Sequence, residues 1–145
     1  MMHITNQISQ YFGKFAKKEF PTPIQKIINL SYVKLMKLNM AEFKHPRDYK
    51  SLNDLFTREL IIKREIDKDK DSIISPTDSF ITECGTLKDD TALQIKGMEY
   101  SVEELLTYYC SENFEKVKNG SFMNFYLAPK DYHRYHAPCN FKLKK

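Results

Sequence analysis

The most informative stretch of this 145-residue chain is Leu127-Ala128-Pro129-Lys130-Asp131-Tyr132-His133-Arg134-Tyr135-His136-Ala137-Pro138. Two histidines stand three residues apart among aromatic and basic neighbours, and a proline stands near each end. Because proline fits poorly inside regular elements, we expect the chain to leave a strand here and to form a rigid loop. Loops held by a rigid scaffold commonly carry catalytic side chains.

The two histidines of this loop are candidates for proton transfer. Histidine titrates near neutrality, so His133 and His136 can supply two separate acid or base roles. Their spacing leaves open the alternative that one imidazole is only a packed, hydrogen-bonded loop residue. No metal site is predicted, because the loop has no adjacent cysteine. The three cysteines also lack a Cys-x-x-Cys spacing, which indicates neither a disulfide framework nor zinc; they are Cys84, Cys110 and Cys139.

Three further stretches precede the histidine loop and carry recognisable patterns. They are SLNDLFTREL at residues 51–60, ISPTD at residues 74–78 and IKGMEYSVEELL at residues 95–106. Ser51 followed by Asp54 predicts the start of a helix through Leu60. Ser101 followed by Glu104 is a capping box and predicts a helix over residues 102–110.

All four stretches resemble motifs of the phosphatidylserine decarboxylases. The histidine stretch matches every fixed position of the family pattern Leu-Ala/Ser-Pro-x-Asp-Tyr-His-Arg-x-His-x-Pro. The other three resemble the family's Asn-Asp-Phe-Phe-x-Arg-x-Leu, Ser-Pro-Ala-Asp-Gly and Ile-Lys-Gly-x-x-Tyr-Ser-Leu-x-x-Leu-Leu segments. The four occur in the family's order between about residues 51 and 138, so the chain is identified as a member of that family.

The resemblance implies the roles of three site residues. Members of the family cut themselves at Gly-Ser-Thr, and the serine becomes a covalent pyruvoyl cofactor. By motif position, His136 corresponds to the base that activates this serine and Asp78 to the acid that orients the base. His133 corresponds to the acid or base that protonates the carbanion left by decarboxylation. Without the resemblance, the sequence favours the interpretation that Asp78 is an Asx-type turn residue after Pro76.

The sequence departs from the family pattern in several places. Gly-Ser-Thr is absent, and the Gly120-Ser121 pair is followed by Phe122 and precedes the histidine stretch. Ser79 and Phe141 stand where the family usually has glycine. The resemblance therefore implies the front part of a proenzyme, incomplete at the C-terminus, that works with a C-terminal pyruvoyl-bearing chain to convert phosphatidylserine to phosphatidylethanolamine. The alternative is a catalytically inactive remnant that acts only as a lipid-surface binding domain.

Positive charge is concentrated in residues 1–50. This segment has nine Lys and Arg against three acids, a net charge of +6, which leaves −2 for the remainder of a chain of +4. Apolar residues recur there at helical spacing in two series separated by Pro21 and Pro23. The first series is Ile8, Tyr11, Phe12 and Phe15, and the second is Ile24, Ile27, Ile28, Tyr32, Leu35 and Leu38.

Basic amphipathic helices of this kind bind anionic membrane surfaces. The alternative that both apolar stripes pack on the rest of the domain stays open. Nucleic acid is not predicted as a partner, because the segment shows no recognised nucleic-acid-binding motif. With no apolar stretch of transmembrane length, the expected location is peripheral, on the cytoplasmic face of the cell membrane.

The pattern of elements predicts an α+β fold, with amphipathic helices followed by a β-rich domain that contains one inserted helix. Residues 1–50 are expected to form the basic membrane-associating segment and residues 51–145 the front part of the catalytic domain. The charged run at residues 63–71 reads as a solvated linker. Strands are predicted at residues 72–75, 80–84, 92–95 and 122–127.

Overall fold

The computed structural model describes residues 4–69, 71–87, 93–95, 98–102, 114–140 and 142. The chain forms two compact units. Residues 1–79 and 127–145 make up the first, and residues 80–126 make up the second. The described helices of the first unit and the strands of the second confirm the mixed α+β prediction. The functional division at residue 50 stays a prediction. None of the described helices is long and apolar enough to cross a membrane.

Two helices open the first unit, as the two apolar series predicted. Helix α1 spans Ile4–Lys17 and helix α2 spans Thr22–Met36. Pro23 lies in the first turn of α2, where a missing N–H costs no intrahelical hydrogen bond. The helix ends at Lys37, whose φ of 53° is left-handed, and the Leu38 amide donates to the Val33 carbonyl at 3.0 Å.

A buried amide network joins α2 to the loop that follows it. Asn29 is fully buried, and its Nδ2 donates to the carbonyls of Pro46 and Tyr49, each at 2.9 Å. Its Oδ1 accepts from Gln25 Nε2 at 2.8 Å. Every polar atom of the Asn29 side chain is therefore bonded, as burial requires. The network fixes the short 3-10 helix Pro46–Asp48 against α2.

Helix α3, Leu52–Phe56, supplies the centre of the core. Tyr49, Leu52 and Leu55 form a buried cluster, and the partly buried residues packed on it are Ala16, Ile28, Tyr32, Val33 and Met40. The predicted cap is confirmed, because Ser51 Oγ accepts from the Asp54 amide at 3.1 Å.

The predicted extension of this helix to Leu60 is wrong. Helix α3 ends at Phe56, and the Thr57 hydroxyl bonds to the Asn53 carbonyl at 2.9 Å. Leu60 instead pairs with Phe43 in an isolated antiparallel bridge, and the Ile61 amide donates to the Glu42 carbonyl at 2.9 Å. Pairing with a distant segment thus replaces the last helical turn.

The predicted strand at residues 72–75 is also wrong, for a reason that involves proline. Two backbone bonds join this region to the histidine stretch: the Ile74 amide donates to the Pro138 carbonyl at 3.0 Å, and the His136 amide donates to the Pro76 carbonyl at 2.8 Å. Opposite residues of an antiparallel pair normally exchange two such bonds. Each of these pairs contains a proline, which has no N–H, so each keeps one bond and no regular strand forms.

The second unit contains two antiparallel pairs in its described part. Strand β1, Phe80–Thr86, pairs with β4, Ser121–Tyr126, with an irregularity between Ile81 and Glu83. Strand β2, Leu93–Ile95, pairs with β3, Met98–Tyr100. These positions confirm the strands predicted at residues 80–84, 92–95 and 122–127. The helix predicted at residues 102–110 lies, beyond Val102, outside the described residues.

Gly120 has a structural role at the entry to β4. A short helix, α4, spans Phe114–Val117, and the Gly120 amide donates to the Val117 carbonyl at 2.9 Å. A Cβ at Gly120 would lie 2.8 Å from that carbonyl oxygen, closer than real Cβ contacts allow. The preceding residue, Asn119, has a left-handed φ of 59°. The Gly120-Ser121 pair is therefore part of a tight turn into β4.

Candidate active site

An open groove in the first unit has Asp78 and His136 in its wall. Its volume is about 820 Å³. Much of the remaining wall is apolar and comes from Ile61, Ile62, Ile66, Ile74 and Tyr135. The proline-limited pairing of residues 74–76 with residues 136–138 brings the two polar side chains to the same groove, although 58 positions separate them in sequence.

Asp78 is held by a two-pronged ion pair with Arg64. Arg64 Nη1 donates to Oδ1 at 2.6 Å, and Arg64 Nη2 donates to Oδ2 at 2.8 Å. These hydrogen bonds hold the pKa of Asp78 below its ordinary value, and the positive charges of Arg64, Arg58 and His136 act in the same direction against partial burial. Asp78 is therefore a carboxylate at neutral pH. Both of its oxygens accept hydrogen bonds from Arg64, in place of the backbone hydrogen bond that an Asx turn would have.

Glu42 holds the same guanidinium from a second side. Arg64 Nε donates to Glu42 Oε1 at 2.8 Å, and Nη2 donates to Oε2 at 2.7 Å. These bonds lower the pKa of Glu42, and the two carboxylates together raise the pKa of Arg64. The bridge between Phe43 and Leu60 sets this geometry, because it aligns the segment that carries Glu42 with the segment that leads to Arg64.

His136 contacts Tyr132 rather than Asp78. Its Nε2 shares a hydrogen bond with the Tyr132 hydroxyl at 3.1 Å, and the two rings stack with centroids 5.6 Å apart. Tyr132 is only 4% exposed. The Arg64 guanidinium lies 5.6 Å from the Tyr132 ring centroid, a cation–π contact. Tyr132 thus contacts both the imidazole and the guanidinium that holds Asp78.

His133 lies apart from this groove and is not among its lining residues. Its ring stacks on Phe56 with centroids 3.9 Å apart, and Nε2 donates to the Ala128 carbonyl at 3.0 Å. These are the contacts expected for a packed loop histidine, one of the two alternatives that spacing left open. The structure therefore brings Asp78 and His136 together and does not bring His133 to them. The catalytic role of each stays a prediction.

Two arginines tie the histidine stretch to α3 and the residues after it. Arg58 is 2% exposed, and its Nη2 donates to the carbonyls of Lys130 and Asp131 at 3.0 and 3.1 Å. Burial lowers its pKa, and its guanidinium lies 4.5 Å from the Phe43 ring centroid.

Arg134 forms the second link between the histidine stretch and the residues after α3. Its Nε donates to the Thr57 carbonyl at 2.8 Å, and its Nη1 pairs with Glu59 at 2.6 Å. Pairing with a nearby acid is the ordinary role that a loop arginine is expected to have.

Comparison with known proteins decides the family. The family model for phosphatidylserine decarboxylase matches residues 52–145. The chain is 47% identical over 143 residues to the phosphatidylserine decarboxylase proenzyme of Helicobacter pylori strain Shi470, an alignment that covers 99% of this chain and 52% of that protein. This chain belongs to the phosphatidylserine decarboxylase family.

Two further relatives give the same result. The phosphatidylserine decarboxylase proenzyme of Campylobacter jejuni is 47% identical over 149 residues, covering 98% of this chain and 53% of that protein. The proenzyme of Bacillus thuringiensis is 35% identical over 142 residues, covering 97% and 53%. The chain spans about half the length of the curated relatives it matches. The region matched by the phosphatidylserine decarboxylase family model contains Asp78, His133 and His136.

The contacts of Arg64 with Glu42 and Asp78 were not predicted from the sequence. The charge pattern of residues 63–71 predicts a solvated linker. Glu65 and Asp67 are exposed as expected, but the prediction is wrong for Arg64, which is partly buried. One feature of the sequence indicates a special role for Arg64. Arg64 is the single arginine in a run whose other basic residues are lysines, and only the planar guanidinium can bind two carboxylates by paired hydrogen bonds.

The pH dependence of unfolding tests the Arg64 cluster. Because Arg64 lowers the pKa of Asp78 and Glu42 in the folded state, the cluster stabilises the fold above the ordinary carboxyl pKa, and this contribution is lost as pH falls through the folded-state pKa values. In urea titrations between about pH 6 and pH 2, we expect the stability of Asp78→Asn/Glu42→Gln to fall less steeply with acid than that of the wild type.

The charge-matched control is Glu19→Gln/Glu65→Gln, which changes two exposed carboxylates that have no ion pair among the described residues. This control should follow the acid dependence of the wild type. An acid dependence of Asp78→Asn/Glu42→Gln as steep as that of the wild type would show that the cluster does not form in solution.

Proposed function

We propose that this chain is the front part of a phosphatidylserine decarboxylase proenzyme, completed by a C-terminal segment that carries Gly-Ser-Thr. The observation that supports the proposal is the placement of Asp78 and His136 on one groove in a chain of this family. The relatives are proenzymes by name and this chain spans about half of their length, so we expect the serine in the part of the family sequence that this chain does not cover.

In this proposal His136 is the base for self-cleavage. A serine hydroxyl is a weak nucleophile until a neighbouring base takes its proton. The groove of about 820 Å³ has room for a serine-bearing segment beside the imidazole. As the imidazole takes the proton it becomes positive, and the nearby Asp78 carboxylate stabilises that charge. Tyr132 holds the ring through Nε2, so the serine has to displace the Tyr132 hydroxyl from that nitrogen, which leaves Nδ1–H for Asp78.

Decarboxylation is proposed to follow on the same assembled enzyme. The pyruvoyl group supplies an electron-withdrawing carbonyl that draws electrons from the headgroup of phosphatidylserine as carbon dioxide leaves. His133 is proposed to return a proton to the headgroup carbon. Its Nε2–H bond to the Ala128 carbonyl and its stacking on Phe56 fix the ring plane, so Nδ1, which carries a proton in the imidazolium form, would donate that proton and leave the ring neutral.

A reconstituted proenzyme tests the proposed function. When a C-terminal segment with Gly-Ser-Thr is joined to this chain, we expect two fragments on a denaturing gel and release of carbon dioxide from carboxyl-labelled phosphatidylserine. His136→Ala and Asp78→Asn should each block fragment formation. His45→Ala changes an exposed histidine outside the groove and should cleave normally.

The unjoined 145-residue chain is the second control and should release no more carbon dioxide than a blank, since no serine here lies in Gly-Ser-Thr. Normal cleavage by His136→Ala or Asp78→Asn would refute the assignment of the pair. Decarboxylation by the unjoined chain would refute the need for the C-terminal segment.

We also propose that the chain attaches to anionic membranes through α1 and α2. In α1, Tyr11 is 72% exposed and Phe12 is 59% exposed, so more than half of each side chain is open to solvent. Lysines flank them, and Lys14 Nζ lies 5.8 Å from the Tyr11 ring centroid. Exposed apolar residues beside lysines are the pattern of a helix that lies in a lipid interface.

The same observation supports a second candidate function, a remnant that binds lipid surfaces without catalysis. Exposed residues of α2 extend the apolar surface and are Ile24, Ile27 and Leu35. The remnant and the proenzyme both bind vesicles, so vesicle binding does not separate them. Fragment formation in the reconstituted proenzyme does, because a remnant would fail to cleave even with an intact Gly-Ser-Thr segment.

Vesicle sedimentation tests the membrane proposal. Tyr11→Ser/Phe12→Ser should weaken binding to anionic vesicles by about a hundredfold or more, because each aromatic side chain loses about 1.5–3 kcal/mol of apolar burial. Salt should weaken the wild type as well, since a Debye length of about 8 Å at physiological ionic strength screens the lysines.

The matched control is Ile81→Ser/Met123→Ser, which changes two large apolar residues of the second unit that are 56% and 51% exposed. It should bind vesicles as the wild type does. Equal binding by Tyr11→Ser/Phe12→Ser and the wild type would refute attachment through α1.

A further inference from the structure

We propose that Arg64 is the positioning residue of the self-cleavage site: anchored by Glu42, its guanidinium fixes Asp78 in the orientation from which that carboxylate acts on His136. This inference rests on the proposed function, in which Asp78 and His136 activate a serine. The side-chain hydrogen bonds of Arg64 go to Glu42 and Asp78 and not to the His136 imidazole, so Arg64 would act through Asp78.

The geometry of the guanidinium supports this role. Arg64 uses four of its N–H groups, two toward Asp78 and two toward Glu42, at 2.6–2.8 Å. Paired bonds from a planar guanidinium set the direction and the rotation of a carboxylate, which a single bond does not. A carboxylate has about four lone-pair sites. Asp78 therefore keeps acceptor capacity for an imidazole N–H while Arg64 holds both of its oxygens.

Glu42 explains how Asp78 can be held by a cation and still stabilise another one. A pair of Arg64 and Asp78 alone has no net charge and would attract a positive imidazole weakly. With Glu42 included, Arg64 and its two carboxylates carry a net charge of −1, which offsets the positive charge that the Arg58 guanidinium places near Asp78. The added negative charge favours the imidazolium that forms when His136 takes the serine proton. Glu42 is thus required for charge as well as for anchoring.

Tyr132 connects this cluster to the base. The Arg64 guanidinium lies against one side of the buried Tyr132 ring, and His136 stacks on the same ring. Tyr132 therefore holds His136 directly, and it contacts the Arg64 guanidinium that holds Asp78. Arg58 also helps to fix the position of Tyr132, because it donates to the carbonyls of the two preceding residues, Lys130 and Asp131.

Two measurements on matched variants test the inference. The first is the titration of the Asp78 carboxyl carbon by NMR in the 145-residue chain, and the second is the rate of fragment formation in the reconstituted proenzyme. Arg64→Gln should move the Asp78 titration to higher pH, since the hydrogen bonds that lower its pKa are gone. It should also slow self-cleavage by about tenfold to a hundredfold, as expected for a misplaced catalytic group.

Glu42→Gln separates positioning from a general loss of structure. Removal of this carboxylate takes away a negative neighbour of Asp78, so the Asp78 titration should not move to higher pH, yet self-cleavage should slow because the net charge of −1 is lost. Arg64→Lys restores the charge without the paired bonds. It should return the titration toward the wild type and recover only part of the rate.

Lys63→Gln is the control, because it removes a positive charge from the exposed neighbour of Arg64 and should change neither measurement. A normal rate in Arg64→Gln, or full recovery in Arg64→Lys, would overturn the positioning role. An Asp78→Asn proenzyme that cleaves normally would overturn the proposed function itself, and with it this inference. Slow cleavage in Asp78→Asn with normal cleavage in Arg64→Gln would overturn the inference alone.

Discussion

Two backbone hydrogen bonds, between residues 74–76 and residues 136–138, are the constraint on which the candidate site depends. They bring the turn that carries Asp78 beside the loop that carries His136. Pro76 and Pro138 limit the pairing to one bond at each position, so it stays short and the chain can turn away on both sides. The groove opens beside this pairing. A regular strand at the same place would continue the ladder, so the prolines help to define the site.

The ion pairs of Arg64 with Glu42 and Asp78 fix the orientation of these side chains but contribute little to the stability of the fold. The side chains of Arg64, Glu42 and Asp78 are each 35% to 41% exposed, so solvent screens their attraction and limits its contribution to the free energy of unfolding. The fold is held mainly by burial of the cluster around Leu55 and by the Asn29 network. Because most of the stability comes from the buried core, the ion pairs are free to orient Asp78 in the role that we propose for it.

Local signals in the sequence predicted the local elements well. Ser51 caps α3, as its hydroxyl and the acid three residues later indicated. Strands β1 and β4 lie where a short apolar segment and an aromatic segment predicted them. The failures share a physical cause. Leu60 and residues 72–75 take their conformation from segments far away in sequence, and propensity carries no information on such pairings. Arg64 was missed for the same reason, since its partners Glu42 and Asp78 are 22 and 14 positions away.

Amide hydrogen exchange at Ile74 and His136 tests the central claim most directly. Both amides donate to carbonyls across the proline-limited pairing, so NMR on this chain should find them exchanging about a hundredfold or more slower than unstructured amides. The amide of Glu65, in the exposed run, gives the unprotected reference. Exchange of Ile74 and His136 as fast as Glu65, in a chain whose α2 amides remain protected, would show that nothing holds Asp78 and His136 to the same groove.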